Sequence, residues 1–121
     1  ALEEPVPGGG PTVVFTHHPL FLNDRYDSDA LPGTDFCLII PTERRLVLFE
    51  MLKKHGVWGM FSGHWHRNNY ASDENFQVIT SAAVGYPLGD DPSGLRIVKV
   101  YSNRIEHQYY GFDDIPETVN L

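Results

Sequence analysis

The sequence predicts an α/β fold in which one βαβ unit feeds a mostly antiparallel set of strands. Two short runs rich in β-branched and aromatic residues, 12–16 and 57–62, read as buried strands. Between them lies an apolar pattern at helical spacing, over residues 42–55. Three further strand-like runs follow, separated by glycine, proline and asparagine.

Each element has a local reason. Pro5 to Pro11 is a run of breakers, with Leu2-Glu3-Glu4 before it, so the opening reads as the end of a helix and then a loop. An upstream portion is expected. The strand 12–16 stops at His17-His18-Pro19, because proline cannot donate to a ladder. Residues 20–40 carry Asp24, Asp27, Asp29, Pro32, Gly33 and Asp35, a length and content expected of a functional or mobile loop. Thr42 is the expected N-cap of the helix. Leu46 with Phe49, and Leu48 with Leu52, supply its apolar pairs. Lys53, Lys54 and His55 sit in its last turn and Gly56 ends it. The strand 57–62 ends at Gly63-His64-Trp65-His66. A third strand is predicted over 76–81, a loop over 85–94 and a fourth strand over 95–101. Ser102-Asn103 is read as a tight turn, 104–110 as a fifth strand pairing back, and 111–121 as a polar tail.

Composition bounds the function. The chain has 121 residues, enough for one domain, and its 41% hydrophobic content supports a packed core. No apolar run reaches the roughly 18 residues that cross a bilayer, and no secretory signal is read at the start. Sixteen acidic residues against nine basic ones give a net charge of −7, shared by both halves of the chain. That argues against nucleic acid or an anionic membrane as partner. The single cysteine, Cys37, forms neither an internal disulfide nor a metal clip, and points to a reducing, cytoplasmic compartment.

Six histidines stand at 17, 18, 55, 64, 66 and 107. Four of them directly follow the two strands that a βαβ crossover makes neighbours. Ligands of open α/β sheets collect beyond the carboxyl ends of strands. His17, His18, His64 and His66 are therefore expected at one sheet edge, where imidazoles suit Zn, Fe or Mn. His55 reads as a cation at the helix end and His107 as an ordinary strand residue.

These residues resemble a known family. Thr16-His17-His18-Pro19-Leu20-Phe21 resembles the H-x-P motif of the calcineurin-like metallophosphoesterases, and Ser62-Gly63-His64-Trp65-His66-Arg67-Asn68 their G-H-x-H motif. The stretches 80–85, 88–98 and 105–110 are similar to a serine/threonine-phosphatase subgroup. The resemblance covers about Thr12 to Asp114. It implies an α/β/β/α sandwich around a dinuclear metal centre, of which this chain is the C-terminal portion. The family motifs D-x-H and G-N-H-D do not occur here.

Carried over by position, His17 and His64 resemble ligands of one metal and His66 a ligand of the other. His18 fills the variable place of H-x-P and takes no family role. Arg67 and Asn68 are the candidates for contact with a phosphate oxygen. No catalytic residue is assigned. The implied activity is hydrolysis of a phosphomonoester or phosphoprotein by a metal-activated hydroxide. The implied cofactors are two divalent or trivalent ions (Mn, Fe or Zn) in a full domain and at most one in this chain. The implied partners are a phosphorylated substrate and either the missing half-domain or a second copy. The loops 20–40 and 85–94 are expected to flank the site and select substrate. Two rival readings stand beside this one: a non-catalytic metal-binding or assembly module, and a single-zinc hydrolase built on three histidines.

Overall fold

The computed structural model describes residues 10–30 and 38–121. Leu2, Glu3, Glu4, the breakers from Pro5 to Gly9, and Pro32, Gly33, Asp35 and Cys37 lie outside the described residues. The elements run β1 (Thr12–Phe15), α1 (Thr42–Lys54), β2 (Val57–Ser62), β3 (Asn69–Asp73), β4 (Phe76–Thr80), β5 (Gly94–Val100) and β6 (Ile105–Gly111). A short 3-10 turn, Phe112–Asp114, occupies the start of the expected polar tail. No described helix is long and apolar enough to cross a membrane.

The predicted α/β class holds. A four-stranded sheet has the order β1-β2-β4-β3, and β5 pairs with β6 as a separate antiparallel hairpin. β1, β2 and β4 are mutually parallel, and β3 is antiparallel to β4. Two details differ from the sequence reading. β4 joins the parallel part of the sheet, beside β2. Residues 69–73, to which no strand was assigned, form its edge strand. Only Ala71 of β3 is buried, so no apolar alternation advertises it. Its partner β4, rich in buried β-branched residues, recruits it.

α1 closes one side of this sheet. Its inward stripe is Arg45, Phe49 and Leu52, at helical spacing. Phe49 and Leu52 meet Leu20, Phe21, Met60, Phe76 and Val78, all fully or nearly fully buried. Gly56 ends the helix with φ +67°, a left-handed conformation that glycine adopts at little cost. The N-terminus differs from expectation. Pro41 holds the N-cap position and makes no side-chain cap. Thr42 is already helical, and its N–H donates to Asp29 Oδ1 at 2.8 Å. The cap thus comes from a carboxylate thirteen residues upstream, which local pattern could not reveal.

Residues 20–30 are irregular but firmly tied. The Asp27 carboxylate accepts from the backbone N–H groups of Leu22 and Asn23 at 2.7 and 2.8 Å. Burial pushes its pKa up, and these hydrogen bonds outweigh that and hold it below the usual range. Arg25 grips Asp73 with two N–H groups, at 2.6 and 2.5 Å, and stacks 4.2 Å above the Phe49 ring. The fully buried Arg45 donates to the carbonyls of Arg25, Ile40 and Asp27 and to the Thr42 hydroxyl. Residues 20–30, part of the stretch expected as a functional or mobile loop, are a splint against α1.

The other side of the sheet carries a smaller core. Phe61, Ile79 and Ile105 form it, flanked by Val13, Trp58 and Val98. Here the β5–β6 hairpin pairs Gly94 with Gly111. A Cβ on Gly94 would lie 2.0 Å from the Tyr110 carbonyl oxygen, so only glycine fits there.

Candidate metal centre

β1 and β2 run side by side, and the ladder continues past their ends. Thr16 N–H donates to the Phe61 carbonyl at 2.9 Å, and Gly63 N–H donates to the His17 carbonyl at 3.1 Å. This sets the two histidine turns against each other, as the βαβ argument requires. The Thr16 hydroxyl donates to the His18 carbonyl at 2.8 Å and tightens the first turn before Pro19.

Three imidazoles meet here. One ring nitrogen each from His17, His18 and His64 can be chosen so that all lie within 4.8 Å of one another. His17 Nε2 and His64 Nδ1 are 2.9 Å apart, close enough to share one proton. The His18 and His64 rings have centroids 4.0 Å apart. Burial first, and then the neighbouring His18, His17 and His66, hold the His64 imidazole below its ordinary pKa. A neutral imidazole is the form that binds a metal.

The backbone of the second turn is strained. His64 and His66 have φ of +59° and +56°, a left-handed conformation that costs an ordinary L-residue about 1–3 kcal/mol. Trp65 N–H donates to the Gly63 carbonyl at 2.6 Å, which closes the turn. Two residues of positive φ thus flank Trp65. Strain of this kind concentrates at ligand and catalytic sites.

His66 stands outside the three-histidine group, though near enough to His64 to affect its charge. Its Nδ1 lies 2.7 Å from the Tyr86 carbonyl. A carbonyl only accepts, so Nδ1 is the donor, and in the neutral ring that tautomer leaves the lone pair on Nε2. That is the orientation that metal-binding histidines take from a backbone partner. His18, expected at this sheet edge from its place after β1 but given no role by the family resemblance, lies in the group. Its signal was its place after β1, since it follows the strand as directly as His17 does. The donor set fits a metal: three clustered imidazoles suit Zn, Fe or Mn, and His66 offers a fourth nearby.

The residues after the motif hold loops. Arg67 donates from Nε and Nη2 to the Leu88 carbonyl and lies 4.9 Å from the Trp65 ring centre. Asn68 donates from its backbone and side chain to both oxygens of Asp91, each at 2.8 Å. Its own Oδ1 accepts from Arg96 at 2.7 Å and from Ala82 N–H at 3.2 Å. The Asn68 amide is therefore committed at both ends, its nitrogen to Asp91 in the loop 85–94 and its oxygen to Ala82 and Arg96 on either side of that loop. Asp91 and Arg96, the partners that make it a clamp, had no sequence signal beyond being charged. Arg96 also donates to Ser81 Oγ at 2.8 Å and to His107 Nδ1 at 3.0 Å. His55 lies exposed at the C-cap of α1, at the helix end where the sequence reading put it, and is not part of this group.

Comparison with known proteins finds relatives named as phosphatases. The chain is 36% identical to the mouse serine/threonine-protein phosphatase CPPED1 over 105 residues, which is 87% of this chain and 32% of that protein. The human and zebrafish proteins of the same name are each 37% identical over 105 residues, again 87% of this chain and 32% of theirs. The chain thus spans about a third of the length of the curated relatives it matches. No family model matches it, and no solved structure does. The likeness to calcineurin-like phosphatases drawn from the two histidine motifs is borne out by these relatives.

Proposed function

As a relative of the serine/threonine-protein phosphatases named CPPED1 over about a third of their length, this chain carries, we propose, part of a metal-dependent phosphoester-hydrolysing site. His17, His64 and His66 are its metal ligands, and His18 is a further donor beside His17. The observation that carries the reading is the convergence of His17, His18 and His64 on the turn where His64 and His66 take strained backbone conformations.

A divalent or trivalent ion, Zn, Fe or Mn, would supply Lewis acidity toward a phosphoryl oxygen and lower the pKa of bound water. The chain's own residues do the rest. The Gly63–His17 hydrogen bond fixes the spacing of the two histidine turns. The Tyr86 carbonyl orients His66. Asn68, with Asp91 and Arg96, holds the loop after β4 against the motif. Arg67 is tied to the same loop through Nε and Nη2 on the Leu88 carbonyl, which leaves Nη1 as its group for a phosphoester oxygen. Asn68 acts as a positioning residue, because its amide is spent inside the protein.

One observation favours the second reading, a metal-binding module without catalysis of its own. Among the described residues, the three-histidine group includes no carboxylate. One experiment separates the two. Mn²⁺ and Zn²⁺ uptake is measured by calorimetry, and p-nitrophenyl phosphate hydrolysis is assayed, for the wild type and His64→Ala. The substitution is expected to weaken uptake by about tenfold or more. Unchanged uptake overturns the metal site. Hydrolysis lost in His64→Ala supports catalysis, whereas uptake without hydrolysis in the wild type supports the module.

A further inference from the structure

The chain has nine lysine and arginine residues, and most are engaged within the fold. Arg25 is held by Asp73, Lys53 by Glu74, and Arg104 by Glu106. Arg45 and Arg67 are held by backbone carbonyls, Lys99 by the Asn120 carbonyl, and Arg96 by Asn68 and Ser81. Among the described residues this leaves Arg44 and Lys54 as the cations whose side chains have no hydrogen-bond or ion-pair partner. They lie at opposite ends of α1.

Their surroundings differ. Arg44 lines a cleft of about 360 Å³ together with His17 and His18, and Ile39, Ile40 and Pro41 form the apolar part of the wall. Lys54 lines none of the described cavities. The Thr42 N–H at the start of α1 is already taken by Asp29, and Thr42 does not line this cleft. In a chain of net charge −7, an arginine left unpaired beside the histidine cluster is a local positive field in a negative surface. A guanidinium matches phosphate oxygens with paired N–H groups, better than an ammonium can.

We propose that this cleft is an anion subsite of the histidine centre, where Arg44 grips a phosphoester oxygen and Ile39, Ile40 and Pro41 receive an apolar group next to it. The ligand class is a phosphoserine or phosphothreonine peptide with an aliphatic residue beside the phosphorylated one. This rests on the phosphoester reading given above.

The test is calorimetric titration with two phosphoserine tripeptides, one flanked by leucine and one by glycine, and with inorganic phosphate. Each is run with and without Zn²⁺ on the wild type, Arg44→Ala, Arg44→Lys and Lys54→Ala, and Zn²⁺ uptake is measured separately for each. Arg44→Ala is expected to weaken binding of both peptides by about tenfold. Arg44→Lys recovers part of that loss, Lys54→Ala changes it less than about twofold, and the leucine peptide binds more tightly than the glycine one. Binding unaffected by Arg44→Ala, an equal loss in Lys54→Ala, or no peptide binding by the wild type overturns the subsite. Binding of inorganic phosphate alone, with no preference between the peptides, overturns the apolar wall. Zn²⁺ uptake that persists in Arg44→Ala leaves the metal centre standing even where the subsite fails.

Discussion

The two sides of the four-stranded sheet are closed by different means. On the α1 side, Leu20, Phe21, Phe49, Met60 and Val78 have no exposed surface, and Arg25 and Arg45 are tied into the fold. On the β5–β6 side the buried cluster is Phe61, Ile79 and Ile105, while Phe15 is 72% exposed and Val84 62%. There a half-buried arginine, Arg96, links β4, β5, β6 and the turn after β2. One side is held by area removed from water. The other relies more on directional bonds. The histidine centre sits where the two meet, at the ends of β1 and β2.

The contrast is broken most severely at Arg45. Replacing it with Met removes a buried cation but leaves three backbone carbonyls without donors. The expected loss is about 3–5 kcal/mol of stability, measured by urea denaturation. A loss under about 1 kcal/mol would mean that water reaches those carbonyls and the splint is not rigid.

A smaller effect is expected on the opposite side. Arg96→Ala should cost about 1–3 kcal/mol. It should also loosen the clamp on Asn68, so metal uptake weakens while the α1 side keeps its amide-exchange protection. Equal loss of protection on both sides would show that the two are one cooperative unit.

The smallest effect concerns pH. Burial, and then the Arg96 guanidinium, hold His107 below its ordinary pKa. Arg96 donates to its Nδ1, so the bond requires a neutral ring. The unfolded chain takes up a proton near the ordinary value of about 6.5, while the folded chain resists until a lower pH. Stability from this contact is therefore complete above about 6.5 and is lost as pH falls through the folded value. His107→Gln is expected to flatten the pH dependence of the urea midpoint in this window, leaving the part owed to His64. A slope as steep as the wild type's would assign the whole dependence to the histidine centre.

Much of this was legible in residue order alone. β-branched runs, helical spacing over α1 and Gly56 at its end predicted β1, α1, β2, β4, β5 and β6, because these patterns reflect local geometry. Placing His17, His18 and His64 together needed one topological rule, since a crossover makes β1 and β2 neighbours. Motif resemblance added the phosphatase relatives but pointed to His17, His64 and His66, and gave His18 no part. β3 escaped notice because an edge strand with one buried residue has no pattern to read.

The sequence by itself determined the helix and every strand but β3, the acidic charge and the histidines at two strand ends. Only the tertiary structure decided which side chains those histidines meet. It placed His18 beside His64, turned His66 toward Tyr86, spent Asn68 on Asp91 and Arg96, and set Arg44, without a partner among the described residues, over a cleft. The physical reason is range. Propensity and periodicity act over one or two turns of chain, whereas Arg25 with Asp73, Asn68 with Arg96 and His17 with His64 are joined across 48, 28 and 47 residues. Such pairings exist only after the sheet has brought its strand ends together.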